Sequence, residues 1–284
     1  MRINSMFTIR VLAFLILASG MTSCSGGSST PGGGSGFTPV NPTGQWEMQG
    51  VDSAGNVTVI ETNLAVNSAT SFFANASNVI VIDGVNSGSQ VLLENLGLAC
   101  DNDTTGYDSL DGTFTSATET NFIFSDKGPA GSFQITGGIT FNQGATNVTS
   151  GQYSSPAACG VAADTGTITG VKVAPFSGTY AGTLNGGADV VIVTVTEDTN
   201  TYSFTASGTD NGAEFNLTGN AMGGAWTASG TFAGQSTTVV GVYDPTGNDF
   251  LVYSYPGLTF EGYLNAGSNP AAAVKPHKFV GRHQ

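Results

Sequence analysis

Histidine is nearly missing from this sequence, and its scarcity excludes several kinds of catalytic site. Of the 284 residues, only His277 and His283 are histidines, and both lie in the C-terminal tail. Nucleophilic catalysis of the Ser-His-Asp or Cys-His kind therefore lacks its base, and an imidazole zinc site lacks its ligands. The sequence also contains no G-x-S-x-G turn, no G-x-x-x-x-G-K-[ST] phosphate loop and no H-E-x-x-H motif. These absences remove the commonest hydrolase and nucleotide-binding mechanisms.

Positively charged residues are also few. The chain has 7 Lys and Arg against 20 Asp and Glu. All 20 carboxylates lie within residues 47–261, where Lys127 and Lys172 are the only cations, so the net charge of this body is −18. Proteins bind nucleic acids and anionic membrane surfaces through basic patches, so we expect no nucleic-acid partner. Residues 267–284 are basic instead, and we expect a disordered tail there.

Strong helix formers are also few. Charged residues make up 10% of the chain and 41 residues are glycine, whereas about 25% charged residues and about half as much glycine are usual. The body instead repeats short runs rich in Val, Ile, Thr, Phe and Tyr, bounded by Gly, Asn or Asp. In residues 201–208, apolar Tyr202 and Phe204 alternate with hydroxyl residues, and Asn211-Gly212 is a hairpin signal. The sequence therefore predicts an all-β protein.

No apolar run is long enough to span a bilayer, and the run at the N-terminus is typical of an export signal. Arg2 and Arg10 precede the apolar residues 11–18, and small residues follow up to Cys24. The apolar stretch is well short of the roughly 20 residues of a transmembrane helix. Here the chain resembles bacterial lipoproteins, in which a small residue precedes a cysteine that is lipidated. The resemblance implies a signal peptide over residues 1–23 and an acyl chain such as palmitate on Cys24, which would hold the protein to a membrane.

The residues after Cys24 predict where the body is held. Ser25 stands where Asp would be the familiar inner-membrane retention signal, so the resemblance favours an outer-membrane address in the bacterial cell envelope. An ordinary secretory signal with a free cysteine nearby is the alternative. Residues 24–42 are mostly Gly, Ser, Thr and Pro without apolar periodicity, which predicts a flexible tether.

The body is predicted to contain two tandem antiparallel β units, an N-terminal domain over residues 43–174 and a C-terminal domain over residues 175–266. Residues 43–46 (TGQW) match residues 177–180 (SGTY). In each half a glycine turn follows, and then an apolar strand that ends in a carboxylate, Glu61 or Glu197. Further on, a Gly-Thr-Phe triplet at residues 112–114 matches one at residues 230–232. The pattern indicates a duplication, and generic β composition that matches itself is the alternative.

The two units are predicted to be up-and-down and barrel-like, and the sequence leaves open whether the two halves close separate barrels or share one. Gly44-x-Trp46 resembles the first strand of lipocalin- and avidin-type barrels, in which the tryptophan closes one end. About eight strand candidates fit into residues 178–264, enough to close a small barrel without a free edge. A β-sandwich is the alternative that periodicity alone leaves open.

Two cysteines and one acidic loop are candidate structural sites in the first half. Cys100 and Cys159 are the only cysteines after Cys24, and in an exported chain they most simply form one disulfide. Residues 101–112 begin like a calcium loop, with carboxylates at the first and third positions and glycine at the sixth. The pattern then departs, because Gly112 stands where a bidentate Glu belongs. The candidate calcium ligands are Asp101, Asp103, Asp108 and Asp111.

These features predict a non-catalytic binding or structural module displayed on a membrane. Its ligand could be a glycan or a small apolar molecule, because Tyr253 and Tyr255 lie on one strand face where they could stack on a sugar. The first alternative is a glycan-processing enzyme built on two carboxylates, which glycoside cleavage requires. The second is an adhesion module stabilised by calcium.

Overall fold

A computed structural model describes residues 36–55, 57–74, 79–84, 109–128, 131–158, 162–184, 189–232, 234–243, 249–255 and 261–266, some strand residues by their backbone alone. All regular structure in these ranges is β. Nine strands form the first half: β1 (Gly44–Asp52), β2 (Val57–Ser68), β3 (Ser71–Ala74), β4 (Val79–Gly84), β5 (Ser109–Phe114), β6 (Glu119–Gly128), β7 (Gly131–Phe141), β8 (Asn147–Ser155) and β9 (Asp164–Lys172). The second half has eight: β10 (Gly178–Leu184), β11 (Asp189–Asp198), β12 (Ser203–Asp210), β13 (Ala213–Met222), β14 (Ala225–Phe232), β15 (Gln235–Tyr243), β16 (Asp249–Tyr255) and β17 (Glu261–Ala266).

The second half is a closed antiparallel barrel in which each strand pairs with the next. The order runs from β10 to β17, and β10 pairs with β17 to complete the ring. Asn211 and Gly212 join β12 to β13, and both have positive φ, at 48° and 85°. This is the requirement of a type I′ turn, so the predicted hairpin is confirmed.

The first half also closes on itself. Its sheet has the order β1-β9-β8-β7-β6-β5-β3-β2-β4, and β1 pairs with β2 as well as with β9. Strands β3 and β4 pair with successive stretches along one edge of β2, so they share a single position in the ring. The ring therefore has eight positions, as in the second half. The prediction of two tandem, antiparallel, barrel-like units is confirmed, and a sandwich is not what forms.

Side chains fill the interior of both barrels because the strands alternate inward apolar and outward polar residues. In the first barrel Trp46 packs edge to face on Phe141 with ring centroids 5.2 Å apart, and Phe72 packs on Phe114 at 5.6 Å. In the second barrel Phe204 lies 5.1 Å from Phe176 and 6.0 Å from Trp226, again edge to face. Such aromatic pairs contribute about 0.5–1.5 kcal/mol beyond the area they bury.

One residue departs from the predicted alternation. Tyr202 was expected to share an inward face with Phe204, but β12 begins at Ser203 and Tyr202 lies in the preceding turn with φ at 56°. Its backbone amide donates to the carbonyl of Asp198 at 2.7 Å, and this turn takes Tyr202 out of the strand. Within the described ranges no helix has the length and apolarity to cross a membrane.

Candidate functional site

The outer surface of the second barrel carries two parallel rows of small uncharged polar side chains, which we call the hydroxyl wall. Strand pairing places each member of a row directly opposite the next, from β10 or β11 across to β15. The first row is Thr179, Thr194, Ser207, Asn216, Thr231 and Ser236, and the second is Thr196, Thr205, Thr218, Ser229 and Thr238.

The spacing of the hydroxyl wall follows from sheet geometry. Neighbours within a row are separated by the distance between strands, about 4.8 Å, and the two rows by two residues along a strand, about 6.7 Å. Nine of the eleven side chains are exposed, and Thr179 and Thr238 are half-buried. The wall is thus a regular lattice of polar groups facing outward.

The wall's polar groups are available to an external partner. Within the described part of the chain, its side-chain hydrogen bonding is confined to the hydroxyls of Thr179 and Thr194, 3.4 Å apart. Each hydroxyl can donate one hydrogen bond and accept two. No member of the wall is charged, although the body as a whole carries a net charge of −18 from 20 carboxylates and two cations.

A second polar cluster lies where the two barrels meet. Gly223 and Gly224, the turn between β13 and β14, rest on the outer face of β2. The backbone N–H of Gly224 donates to Oε2 of Glu61 at 2.6 Å. Asn63 holds the same turn twice, because its Nδ2 donates to the carbonyl of Ala221 at 2.9 Å and its Oδ1 accepts from the N–H of Gly223 at 3.1 Å. We call this contact the joint.

The joint fits too tightly for any side chain at Gly223. A Cβ atom added there would lie 2.3 Å from Oε2 of Glu61 and 2.4 Å from the carbonyl oxygen of Trp46. The φ of Gly223 is also positive, at 56°. Both facts require glycine at this position.

Glu61 is enclosed by the joint, with only 2% of its surface exposed. Burial raises the pKa of its carboxyl to about 8, although the hydrogen bond from Gly224 acts in the opposite direction. The strand register places Glu47 of β1 directly opposite Glu61.

The pair of Glu47 and Glu61 bears on the enzyme alternative, which needs two facing carboxylates. These two do face each other, but Gly224 covers the carboxyl of Glu61 and the side chain is buried. A sugar ring could not reach it without displacing the joint. The pair therefore lends no support to glycoside cleavage.

Glu197, near the end of β11, is the second buried carboxylate among the residues that the structure describes. Its Oε2 accepts the N–H of Phe176 at 2.9 Å, and its own N–H donates to the hydroxyl of Ser177 at 2.8 Å. Its Oε1 is buried without a hydrogen-bond partner. Burial raises the pKa of this carboxyl. The pKa of Tyr202 is raised as well, first by burial and then by the charge of Glu197.

Most of the site residues predicted from the sequence lie outside the described residues. These are Cys24, Cys100, Cys159, Asp101, Asp103 and Asp108, so the lipid anchor, the disulfide and the calcium loop remain predictions. Within the described part of the chain, no three potential ligands come together as a metal site would require.

Asp111, the last candidate calcium ligand, is described and lies in a strand rather than a loop. It belongs to β5, is exposed, and stands opposite Phe73 on one side and Ile123 on the other. Gly112 is in the same strand, facing inward, where a Cβ atom would lie 2.0 Å from the ring of Phe72. The glycine at this position is explained by close packing.

The hydroxyl wall and the joint were both missed by sequence reasoning. Alternation does predict outward Thr and Ser on single strands, but a row across strands depends on the register of each pair. For the joint, Gly223-Gly224 next to Ala225 was the available signal, since two glycines in a hairpin turn permit close approach of another chain segment. Comparison with protein families, with curated proteins and with solved structures finds no match.

Proposed function

We propose that this protein is a lipid-anchored component of the bacterial cell envelope that serves as a non-catalytic binding module for neutral glycans. The observation that carries the binding proposal is the hydroxyl wall of the second barrel. The anchor and the outer-membrane address are proposed from the leader that ends at Cys24 and from Ser25 after it.

The chemistry of the hydroxyl wall favours a ligand that is itself rich in hydroxyl groups. Sugar hydroxyls donate and accept hydrogen bonds in the same way as Thr and Ser, and a polysaccharide repeats them along its length. Anionic polymers would be repelled by the acidic body and would find no cation on the wall. A neutral glycan would not be repelled by the acidic body and would not need a cation on the wall.

Threonine is well suited to such a surface. Seven of the eleven wall residues are Thr, whose branched Cβ restricts χ1 and holds the hydroxyl in few orientations. Less side-chain entropy is then lost on binding. Strand pairing also aligns Thr238 of the second row with Tyr255, one of the two tyrosines that the sequence predicts as a sugar platform.

The packing of the second barrel favours its outside over its inside as the binding surface. In the interior, Phe204 packs on Phe176 and on Trp226, and all three side chains are buried. A small apolar ligand would have to displace such side chains. A glycan on the wall requires no rearrangement.

The binding proposal is tested by calorimetric titration of the full chain with soluble neutral glucans, mannans and galactans, alongside an anionic polysaccharide. We expect at least one neutral polymer to bind and the anionic one not to. The double variant Thr205→Val and Thr218→Val keeps the branched shape and removes two central hydroxyls. Losing two hydrogen bonds of about 0.7 kcal/mol each should weaken binding about tenfold.

The matched control is Thr113→Val and Thr167→Val, which removes two exposed hydroxyls from the first barrel. Its affinity should equal that of the unmodified chain. Binding of the anionic polymer alone, no binding to any neutral polymer, or an equal loss in the control would each contradict the proposal.

The anchor is tested separately in the bacterial cell. Cys24→Ala should release the protein from carbonate-washed membranes, whereas Cys100→Ala should not. A Cys24→Ala protein that stays with the washed membrane would show that the anchor lies elsewhere.

A further inference from the structure

The joint holds a buried carboxyl group in a setting that suits its protonated form and not its charged form. Its carboxyl receives the N–H of Gly224, and the turn formed by Gly223 and Gly224 brings no cation to it. In the strand register, Glu47 of β1 is the partner of Glu61 on one side, and Ile80 of β4, an uncharged residue, is its backbone partner on the other. A carboxylate anion here would have one hydrogen-bond donor and no cation among its strand partners.

Lys172, a cation on a neighbouring strand, does not compensate the charge of an ionised Glu61. Lys172 of β9 pairs with Trp46, whose neighbour Glu47 carries the side chain facing Glu61. Adjacent residues of a strand point to opposite faces, so Lys172 starts from the face opposite to that of Glu61. Burial already lowers the pKa of Lys172 itself.

The two sides of the joint are held by different numbers of contacts. Glu61 is held in β2 by ladders to β1 and to β4, whereas the turn is held on β2 by the hydrogen bonds to Glu61 and Asn63. When the carboxyl loses its proton, it must regain water to be stable. Water can reach it if the turn lifts, without any strand being separated.

We propose that the joint between the two barrels is a proton-dependent latch, closed while Glu61 is protonated and opened when Glu61 ionises. Closed, the latch fixes the turn of the second barrel on the wall of the first. Open, the two barrels are joined by the chain between β9 and β10. The burial that raises the pKa of Glu61 to about 8 places the change in mildly alkaline solution.

Nuclear magnetic resonance of the full chain tests the protonation step. The N–H signals of Gly223 and Gly224 should shift with pH through a single step centred near pH 8 in the unmodified protein. In Glu61→Gln, whose amide oxygen can still accept the N–H of Gly224, the step should vanish. The N–H of Asn211, which donates to Val190 within the second barrel at 2.8 Å, should show no such step in either protein.

Small-angle X-ray scattering tests the opening. The radius of gyration of the unmodified protein should rise between pH 7 and pH 9, and that of Glu61→Gln should stay constant. Gly223→Ala cannot seat the turn, so it should show the larger radius already at pH 7. Gly212→Ala is the matched control, because Gly212 also has positive φ in a hairpin turn of the second barrel but has open space around its Cβ position.

Three results would overturn the latch: no step in the Gly224 signal between pH 7 and pH 9, a step that persists in Glu61→Gln, or a radius of gyration that does not change with pH. Equal radii for Gly223→Ala and Gly212→Ala at pH 7 would also overturn it. These outcomes are independent of glycan binding by the hydroxyl wall.

Discussion

Trp46 and Tyr180 occupy corresponding places at the start of the two barrels. The indole N–H of Trp46 donates to the carbonyl of Pro42 at 2.6 Å, and the hydroxyl of Tyr180 donates to the carbonyl of Phe176 at 2.7 Å. In both cases the acceptor lies four residues earlier, and both rings are buried. Each aromatic residue ties the incoming chain to the first strand of its barrel.

Removing the hydroxyl of Tyr180 should therefore destabilise the protein. In Tyr180→Phe the buried carbonyl of Phe176 loses this donor, at a cost of about 1–2 kcal/mol in the free energy of unfolding. Urea denaturation would measure it. Tyr153→Phe is the control, because its hydroxyl donates to Asp164 at 3.1 Å in a partly solvated place and the loss should be smaller. Equal losses would show that Tyr180 has no special role.

The sequence match between the two halves corresponds to equivalent structural positions at Trp46 and Tyr180. Farther along the chain, matching residues lie at different strand positions. The Gly-Thr-Phe triplet at residues 112–114 lies in β5, the fourth position of the first ring, whereas the one at residues 230–232 lies in β14, the fifth position of the second. The two glycines are explained by different close contacts. A Cβ at Gly112 would meet the ring of Phe72, and one at Gly230 would meet the backbone carbonyl of Asn216.

Alternation along single strands was enough to predict an all-β, barrel-like body, because each face of a strand follows the sequence with a period of two. It could not predict which stretch of outer face becomes covered. Glu61 and Asn63 have the polar character of solvent-facing residues, yet both are buried by a turn about 160 residues away. Contacts at that separation depend on how the completed barrels dock, which local sequence does not encode.

The free energy of unfolding should depend on pH through Glu61. Its carboxyl has a pKa of about 8 when folded and 4.5 as the reference value, so between these limits the folded state holds a proton that the unfolded state has lost. Stability from this group is full below pH 4.5 and falls by up to about 1.4 kcal/mol per pH unit as the pH rises towards 8. Glu61→Gln should remove that slope.

The measurement is urea denaturation at several pH values from 5 to 8, and the quantity of interest is the difference in slope between the two proteins. Glu119→Gln removes an exposed carboxylate from the same barrel and should keep the slope of the unmodified protein. Parallel profiles for the unmodified protein and Glu61→Gln would mean that Glu61 ionises normally.

The acidic loop gives a prediction that concerns metal. If residues 101–111 bind calcium, the melting temperature of the full chain should be higher in calcium than in chelator, because the ion binds the folded state. Asp103→Asn should abolish the difference. Asp111→Asn should retain it, because Asp111 is exposed at a strand position between Phe73 and Ile123. Identical melting in calcium and chelator would leave the loop without a metal role.

The last prediction concerns the close packing around Gly112. The ring of Phe72 lies over Gly112 and packs edge to face on Phe114 and Phe141, so it has little room to move. Gly112→Ala should lower the free energy of unfolding by about 1–3 kcal/mol, the usual cost of overpacking a core. Gly144→Ala, where the nearest atom to an added Cβ is 3.8 Å away, should cost much less.

A double-mutant cycle separates overpacking from the intrinsic effect of alanine in a strand. Phe72→Leu alone should destabilise the core by removing ring contacts. Combined with Gly112→Ala, it provides room for the new methyl group, so the double variant should be more stable than the sum of the two single losses predicts. Additive losses would mean that the ring of Phe72 and the added methyl group do not compete for space.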